Sequence, residues 1–593
     1  MIKVFKIITN RNFLPILVVL IISILAARRL LFERGYFVMH DDLQMMRQLE
    51  MEKCFLDGQI PCRWVPDMGF GFGFPLFNYY PPLPYLVGEA FRIIGFSFVE
   101  TIKLTFALSL ILSGISMYFL AKEFFGKIGG VLASGFYVWA PYRAVDIFVR
   151  GAMNESWAFI LFPLIFLFSY RLVTSDKFKV TSNVIFLSLS YSLLIMSHNI
   201  MVLIFTPVFI IWVFIWLWQS GKWTRLLDLV KSGLLAIGIS AFFIIPVIFE
   251  RKLVRIENLI GGYYDYAGHF ASLRQLFVSR FWGYGGSIWG PNDGMSFQVG
   301  HLHWILSLVI GFSLFLYLLR KRNGWVKTFR TNNLLLITCY LILTGWFSIF
   351  LVHYKSYPIW KNIAILSYVQ FPWRFLSIVV FSLSFLVGVI PGVFVSFKER
   401  KRLLSKLILT PPQILVTTFL LATLIFFNWN YFLPMNGAMG RITDGEKFSG
   451  VSWELQQGGG VTDYLPLAAD RQPHAASGGI ADVYSGDVEI KNALQGTYWV
   501  KLYAKVESDF GLVRINVFDY PNWRVFANNS RVDIFVPDDE EIGRIHFTLP
   551  QGEYLVYAQL FNTWPRTLGN LISLFTMGGL LVYLLRQNKL LHA

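Results

Sequence analysis

The chain has 593 residues, of which 55% are hydrophobic and 17% aromatic but only 15% charged, and its mean hydropathy is +0.54. Soluble domains carry roughly 25% charged residues, so a soluble multidomain enzyme is excluded; so are a disordered chain, which would lack the 57 Phe and 19 Trp, and a disulfide scaffold, which needs more than 3 Cys. The net charge of +16 would suit nucleic acid in a soluble protein, but here the basic residues collect in short loops between apolar runs, which marks a polytopic membrane protein whose partner is the lipid bilayer and not nucleic acid.

Apolar runs near residues 7–27, 100–121, 128–147, 156–173, 183–198, 200–218, 230–249, 302–319, 333–352, 374–395, 411–430 and 566–585 predict about twelve membrane spans. The chain is expected to begin inside, with Lys3, Lys6 and Arg11. The connections then expected inside carry Lys122 and Lys127, Arg171, Lys177 and Lys179, and Lys222, Arg225 and Lys231. Further along come Arg320, Lys321, Arg322, Lys327 and Arg330, then Lys398, Arg400, Lys401, Arg402 and Lys406, and last Arg586 and Lys589. That pattern follows the positive-inside bias and places both termini on the cytoplasmic side of a cell membrane. Arg28, Arg29 and Arg34, just past the first span, run against it, and Asn199–Ile200 leaves little room for a turn. The first apolar run has no small-residue cleavage site after it, so it is expected to remain as a helix and not to be removed as a signal peptide.

Most of the mass outside the spans is expected beyond the membrane, in residues 28–99, 250–301 and 431–565. The predicted domains are a transmembrane domain over 1–430 with loops 28–99 and 250–301, an extracytoplasmic β-rich domain over 431–565, and a last helix with a cytoplasmic tail over 566–593. In the β-rich part Tyr498, Val500, Leu502, Ala504 and Val506 share one face by their period of two, and Gly511 to Phe518 and Glu553 to Leu560 read as further strands. Turn signals at Pro521-Asn522, Asn528-Asn529 and Gln551-Gly552 between them predict a small antiparallel β-sandwich. The cytoplasmic loops are too short for a nucleotide-binding domain and no phosphate-loop motif occurs, so direct ATP coupling is not expected. Gly69-Phe70-Gly71-Phe72-Gly73-Phe74 lacks the flanking strand and helix of a dinucleotide fingerprint and reads as a bent loop. Cys54 and Cys62 are either an oxidised pair or two free thiols, and Cys339 lies in a span.

Four places concentrate polar chemistry. His40-Asp41-Asp42 precedes Leu43, Met45, Met46, Leu49 and Leu56 at roughly helical spacing. One carboxylate there is then the N-cap of an interfacial helix, a base taking a proton from an incoming hydroxyl, or both. Arg63, Asp67 and Asn78-Tyr79-Tyr80-Pro81-Pro82 form a loop whose prolines exclude an ordinary helix. Its aromatic rings suit the membrane interface, and they also suit the apolar faces of sugars. Asp146, Arg150 and Glu155, with Arg143, put four ionisable groups beside a span. Such groups are costly in that setting unless paired, so they form either a structural ion network or a polar site. His198 lies at another outer turn, and Arg374 follows Gln370-Phe371-Pro372-Trp373 at a third. A guanidinium there either anchors the span or grips phosphate oxygens bidentately.

His40-Asp41, Arg63 with Pro66-Asp67, Gly71 through Pro82, Arg150-Gly151-Ala152 with Glu155, and Gln370 through Arg374 resemble a bacterial and archaeal membrane family labelled "6-pyruvoyl-tetrahydropterin synthase-related". The architecture of that family resembles the GT-C class of glycosyltransferases. The resemblance covers most of the chain and is most specific over 61–85. Tyr520-Pro521-Asn522-Trp523-Arg524-Val525 also resembles the β-domain of related bacterial membrane glycosyltransferase-like proteins. A pterin synthase needs a zinc-binding histidine cluster, and the 9 His show no such grouping. The resemblance implies a mostly α-helical, GT-C-like polytopic protein with a catalytic Asp in the first outer loop, matched here by Asp41. Asp42 stands where an apolar residue is commoner, which leaves it as a second candidate. The resemblance further implies a polyprenyl-phosphate-linked sugar donor and inversion at the anomeric carbon.

The expected function is therefore transfer of a sugar from such a donor to an envelope glycan, lipid or protein acceptor at the outer face. Asp41 or Asp42 would act as base, Arg374 on the donor phosphate, and His40, Arg63, Asp67, Tyr79, Tyr80, Asp146, Arg150, Glu155 and His198 would line the substrate site. No motif specifies a cofactor, and a divalent cation is left open. The rival expectations are a flippase or transporter for lipid-linked glycans and a non-catalytic scaffold binding envelope glycans. A transporter should carry ionisable groups deep in its spans and internal repeats, whereas the charges here gather at the outer mouths and no repeat is evident.

Overall fold

A computed structural model of the chain describes residues 13–175, 180–288, 290, 292–320, 329, 331–393 and 411–591. Of the basic residues expected inside, Lys3, Lys6, Arg11, Lys177, Lys179, Lys321, Arg322, Lys327, Arg330, Lys398, Arg400, Lys401, Arg402 and Lys406 lie outside the described residues, as does the Lys589 side chain. The main helices are α1 (Leu14–Ala26), α2 (Gln44–Leu56), α3 (Leu83–Ile94), α4 (Phe98–Val138), α5 (Met153–Thr174), α6 (Val180–Ser197) and α7 (Asn199–Ser220). After them come α8 (Leu226–Glu250), α9 (His301–Arg320), α10 (Asn333–Val352), α11 (Leu376–Val387), α12 (Pro411–Asn428) and α13 (Trp564–Leu591). Among the described residues ten helices, α4 to α13, are long and apolar enough to cross a membrane, α11 being counted with its flanking turns as Pro372–Val393. The helix α4 contains two of the expected spans, joined at Gly126, whose φ of 72° and ψ of −177° break the helical path. With the shorter apolar α1 these account for the expected spans.

Two local conflicts in the sequence have physical answers. The tight connection at 198–200 is a single extended residue: His198 has φ −161° and ψ 114°, and its side chain accepts hydrogen bonds from the Ile200 and Met201 N–H groups, capping α7. Arg28, past α1, donates to the Trp429 carbonyl at 3.1 Å and lies over that indole at 3.7 Å, and Arg29 pairs with Glu33. A third point is a correction. The span expected over 128–147 stops at Val138, because Ala140, before Pro141, is extended at ψ 139° as proline demands of its predecessor.

The chain divides into two compact units. The first comprises residues 1–41, 103–236 and 263–441. Its core is aromatic: Phe162 stacks on Phe205 at 4.3 Å, Phe166 on Trp212 at 4.5 Å, and Phe381 meets Phe166 edge-on at 4.8 Å.

The second unit comprises residues 42–102, 237–262 and 442–593. It contains strands β1 (Ala481–Ser485), β2 (Val488–Gln495), β3 (Trp499–Phe518), β4 (Trp523–Ala527), β5 (Ser530–Val532) and β6 (Arg544–Leu560). They form one antiparallel sheet in the order β1-β3-β6-β4-β5, with β2 also on β3. Val500, Leu502, Ala504 and Val506 are all buried, as their alternation requires. The runs before and after residue 507 are one 20-residue strand, its register against β6 interrupted between Val506 and Phe510. Gln551-Gly552 is not a turn, because Gly552, at φ 148°, lies inside β6 opposite that irregularity. Asn522, Asn528 and Asn529 do turn the chain, each with positive φ. Cys54 and Cys62 form a disulfide with their Cα atoms 5.4 Å apart. The Gly69–Gly73 run bends as expected, with positive φ at Gly69, Phe70, Gly71 and Gly73.

Candidate active site

The first unit gathers the charged residues that follow α4. Pro141–Ala144 makes one helical turn and Val145–Val149 a wider π turn, closed by the Arg150 N–H on the Val145 carbonyl at 2.8 Å. Such wide turns often re-aim side chains at functional sites. Here the turn brings Asp146, Arg150 and, from the start of α5, Glu155 together. Arg150 Nη1 lies 3.0 Å from Asp146 Oδ1, 2.7 Å from Glu155 Oε2 and 3.1 Å from the Tyr142 hydroxyl. Tyr142 in turn donates to Glu155 Oε1 at 2.6 Å. Arg143 Nη1 approaches Asp146 Oδ2 at 3.6 Å and lies 4.0 Å over Phe159. Asp146, Arg143 and Glu155 are fully buried. Burial and then the Glu155 carboxylate push the Asp146 carboxyl well above its ordinary range. Burial alone would lower Arg150, but Glu155, Tyr142 and Asp146 hold its guanidinium firmly charged.

A second segment is pinned to this turn through the backbone. The His40 N–H donates to the Val149 carbonyl and the Asp41 N–H to the Arg150 carbonyl, each at 3.0 Å. Gly151 permits that approach: its φ is 65°, and an added Cβ would lie 2.2 Å from Met39 Sδ. His40 Nε2 contacts the Tyr284 carbonyl at 3.0 Å. From a third segment, Arg374 Nη1 donates to Gln370 Oε1 at 2.6 Å and to the Val369 carbonyl at 2.8 Å, while Trp373 lies under Arg150, its ring 4.5 Å from the guanidinium carbon. Arg374 acts electrostatically on Arg150, Glu155 and Tyr142. His198 lies in the same field, with Glu155, Arg374 and Arg150 acting on it, and burial pushes its imidazole down to about 3. Three guanidiniums, Arg143, Arg150 and Arg374, thus share a cluster with two carboxylates, Asp146 and Glu155. The cluster is cationic even with both acids ionised and more so with Asp146 protonated, which suits an anionic ligand.

Of the residues expected to line one site, His40, Asp41, Asp146, Arg150, Glu155, His198 and Arg374 lie in this first unit. The other five lie in the second unit, each with partners of its own. Asp42 accepts from Lys447 Nζ at 2.5 Å. The helix after it begins at Gln44, and its cap position is Leu43 with no side-chain cap, so neither Asp41 nor Asp42 caps it. Gln44, Arg47, Gln48 and Glu50 of that helix are buried along with its methionines, while Phe55 and Leu56 at its end are exposed. Arg63 donates to Asn78 at 3.3 Å, to Asn570 at 2.7 Å and to the Phe242 carbonyl at 2.8 Å. Asn78 continues to Glu250 at 2.8 Å, and Glu250 accepts from Arg566 at 2.9 Å. Tyr79 is buried in the same network, 2.7 Å from both the Tyr520 hydroxyl and the Glu250 carbonyl. Tyr80 accepts from Arg47 at 3.0 Å. Asp67 pairs with Lys53, and its N–H donates to Glu50 at 3.4 Å. Sequence reasoning missed Lys447, Glu250, Arg566 and Asn570; no local pattern marks them, because the partners named here lie 172 to 507 residues away. Among the described residues no three His, Cys, Asp or Glu side chains come together as a metal site.

Residues 77–379, just over half of the chain, match the family described as "6-pyruvoyl-tetrahydropterin synthase related domain; membrane protein". An uncharacterized protein of Lactococcus lactis subsp. cremoris (strain MG1363) is 24% identical over 265 residues, which cover 43% of this chain and 41% of that relative, so the match spans less than half the relative's length. The archaeal oligosaccharyltransferase AglB from Archaeoglobus fulgidus, in complex with an inhibitory peptide and a dolichol-phosphate, overlaps with a TM-score of 0.40 at 11% identity, covering 74% of this chain and 57% of that one. The apo oligosaccharyltransferase of the same organism gives the same score and identity over 79% and 61%.

Proposed function

This chain belongs to the 6-pyruvoyl-tetrahydropterin synthase related family of membrane proteins, and from that premise we propose that it is a membrane glycosyltransferase. In this proposal it moves a sugar from a polyprenyl-phosphate-linked donor to an acceptor hydroxyl or amine at the outer face of the cell membrane. The observation that carries the proposal is the pinning of Asp41 to Arg150 by backbone hydrogen bonds, which sets an aspartate beside a buried cluster whose guanidiniums outnumber its carboxylates.

Asp41 takes the proton of the attacking acceptor group as its oxygen or nitrogen bonds to the anomeric carbon. The bond from that carbon to the phosphate oxygen breaks on the opposite face, which inverts the centre. The polyprenyl phosphate leaves with the bonding pair, and Arg374 with Arg150 stabilises the charge that develops on it. Asp146 and Glu155 hold Arg150 in place.

The test is turnover of a polyprenyl-phosphate-linked sugar by purified protein in nanodiscs. Asp41→Asn keeps size and polarity but removes basicity, so the rate should fall by about two to four orders of magnitude, while Asp42→Asn, whose carboxylate is taken up by Lys447 and is not the proposed base, should stay within about threefold. Unchanged turnover in Asp41→Asn would overturn the assignment of the base.

A further inference from the structure

Three buried side chains converge on the hydroxyl of Ser287, a residue with no part in the cluster described above. His269 Nδ1 is 2.8 Å from Ser287 Oγ, Trp373 Nε1 donates to it at 3.2 Å, and Asp293 Oδ1 is 3.3 Å away. Relative exposures are 2% for Ser287, 2% for His269, 8% for Asp293 and 3% for Trp373, so each of these polar atoms depends on its protein partner.

The proton order follows from the partners. His269 Nε2 faces the Tyr263 carbonyl at 2.7 Å. A carbonyl only accepts, so Nε2 carries the hydrogen. Burial lowers the His269 imidazole below its ordinary value, which leaves the ring neutral and Nδ1 bare. The one Ser287 hydroxyl hydrogen is therefore shared between two acceptors, Nδ1 and Asp293 Oδ1, while the oxygen's lone pair takes the Trp373 N–H. Asp293 closes the far side, accepting from the Ile288 N–H at 3.0 Å and from Gln275 at 2.7 Å.

Trp373 stacks with Phe371 at 4.8 Å and with Phe297 at 5.8 Å. Stacking restrains the plane of an indole but is weakly directional within it. The N–H bond to Ser287 fixes which edge points to the serine, and with it which part of the ring lies beneath the Arg150 guanidinium.

We infer that Ser287 is a positioning residue for the phosphate site: through its hydrogen bond to Trp373 it sets the ring that carries Arg150, and so the preference for a phosphate-bearing polyprenyl lipid. The inference rests on the proposed role of Arg150 and Arg374 in holding the donor phosphate.

The test measures binding of undecaprenyl phosphate and of undecaprenol to the full chain in nanodiscs. Ser287→Ala strands two buried polar groups, and its preference for the phosphate over the alcohol should fall roughly tenfold. Trp373→Phe keeps an aromatic ring without the N–H and should show a similar loss, and adding Ser287→Ala to it should change nothing further. Alcohol affinity should stay constant throughout. An additive double variant, an unchanged preference in Ser287→Ala, or equal weakening of both ligands as from general loosening would each overturn the inference. Failure of the underlying proposal looks different. There the wild type shows no preference for the phosphate and Arg374→Ala changes nothing, whereas a preference lost in Arg374→Ala but kept in Ser287→Ala removes the role of Ser287 alone.

Discussion

Arg374 shows how one side chain is defined by its partners and not by its type. A guanidinium that merely anchors a span needs only a long cation with its stem in the bilayer. Arg374 instead has its Nη1 fixed by two acceptors, Gln370 Oε1 and the Val369 carbonyl, and its guanidinium carbon lies 4.9 Å from the Phe371 ring centroid. That geometry aims a planar fork in one direction, and a planar fork is what distinguishes arginine from lysine at a phosphate. Replacing Arg374 with Lys should therefore weaken polyprenyl-phosphate affinity by about tenfold, and replacing it with Ala by more. Isothermal titration in nanodiscs checks this, and equal affinity in all three proteins would assign the phosphate to another group. Asp41 and Asp42 make the same point, since neighbours in sequence meet different partners. The Asp41 backbone is bonded to Arg150, whereas the Asp42 carboxylate is bonded to Lys447.

At the scale of elements, the site depends on a stop, a wide turn and a glycine. Pro141 ends α4, the π turn over Val145–Val149 re-aims Asp146 and Arg150, and Gly151 lets Met39 and the His40-Asp41 backbone come close. Gly151→Ala would force an L residue into φ 65° and a Cβ onto Met39. The variant should lose about 1–3 kcal/mol of stability and most of its turnover, because His40-Asp41 would lose its register with Val149–Arg150. Thermal denaturation alongside the transfer assay checks both parts, and full activity at wild-type stability would show that the register is dispensable. These elements also show what could be read beforehand. The spans were legible because 20 apolar residues in a row leave few alternatives, and Arg143, Asp146, Arg150 and Glu155 stood out because charge is rare beside such spans. The pairing of His40-Asp41 with Val149–Arg150 joins segments over 100 residues apart, and only a family resemblance suggested that both belong to one site. The expected N-cap at Asp41 or Asp42 failed because helix propensity is a weak guide where a tertiary partner, Lys447, takes the carboxylate. The single-residue break at His198 was hidden because hydropathy does not register a side chain that caps the helix following it.

At the scale of the whole molecule, the distribution of Lys and Arg is the basis for assigning sides. On that basis residue 222 is expected in the cytoplasm and the sheet of the second unit outside. In a Cys339→Ser background, Asn528→Cys should be labelled by an impermeant maleimide added to intact cells, and Lys222→Cys should be labelled only after lysis. The reverse pattern would put Asp41 on the wrong face for an outer acceptor. The whole account rests on the cluster around Arg150 being the place where a lipid-linked phosphate binds. A cryo-EM map of the chain with a non-hydrolysable polyprenyl-phosphate-sugar analogue tests that most directly. The account predicts the phosphate oxygens within about 3 Å of the Arg374 guanidinium, with the Asp41 carboxylate on the opposite side of the anomeric carbon. Density for the phosphate away from Arg374 and Arg150, or an anomeric carbon out of reach of Asp41, would contradict it.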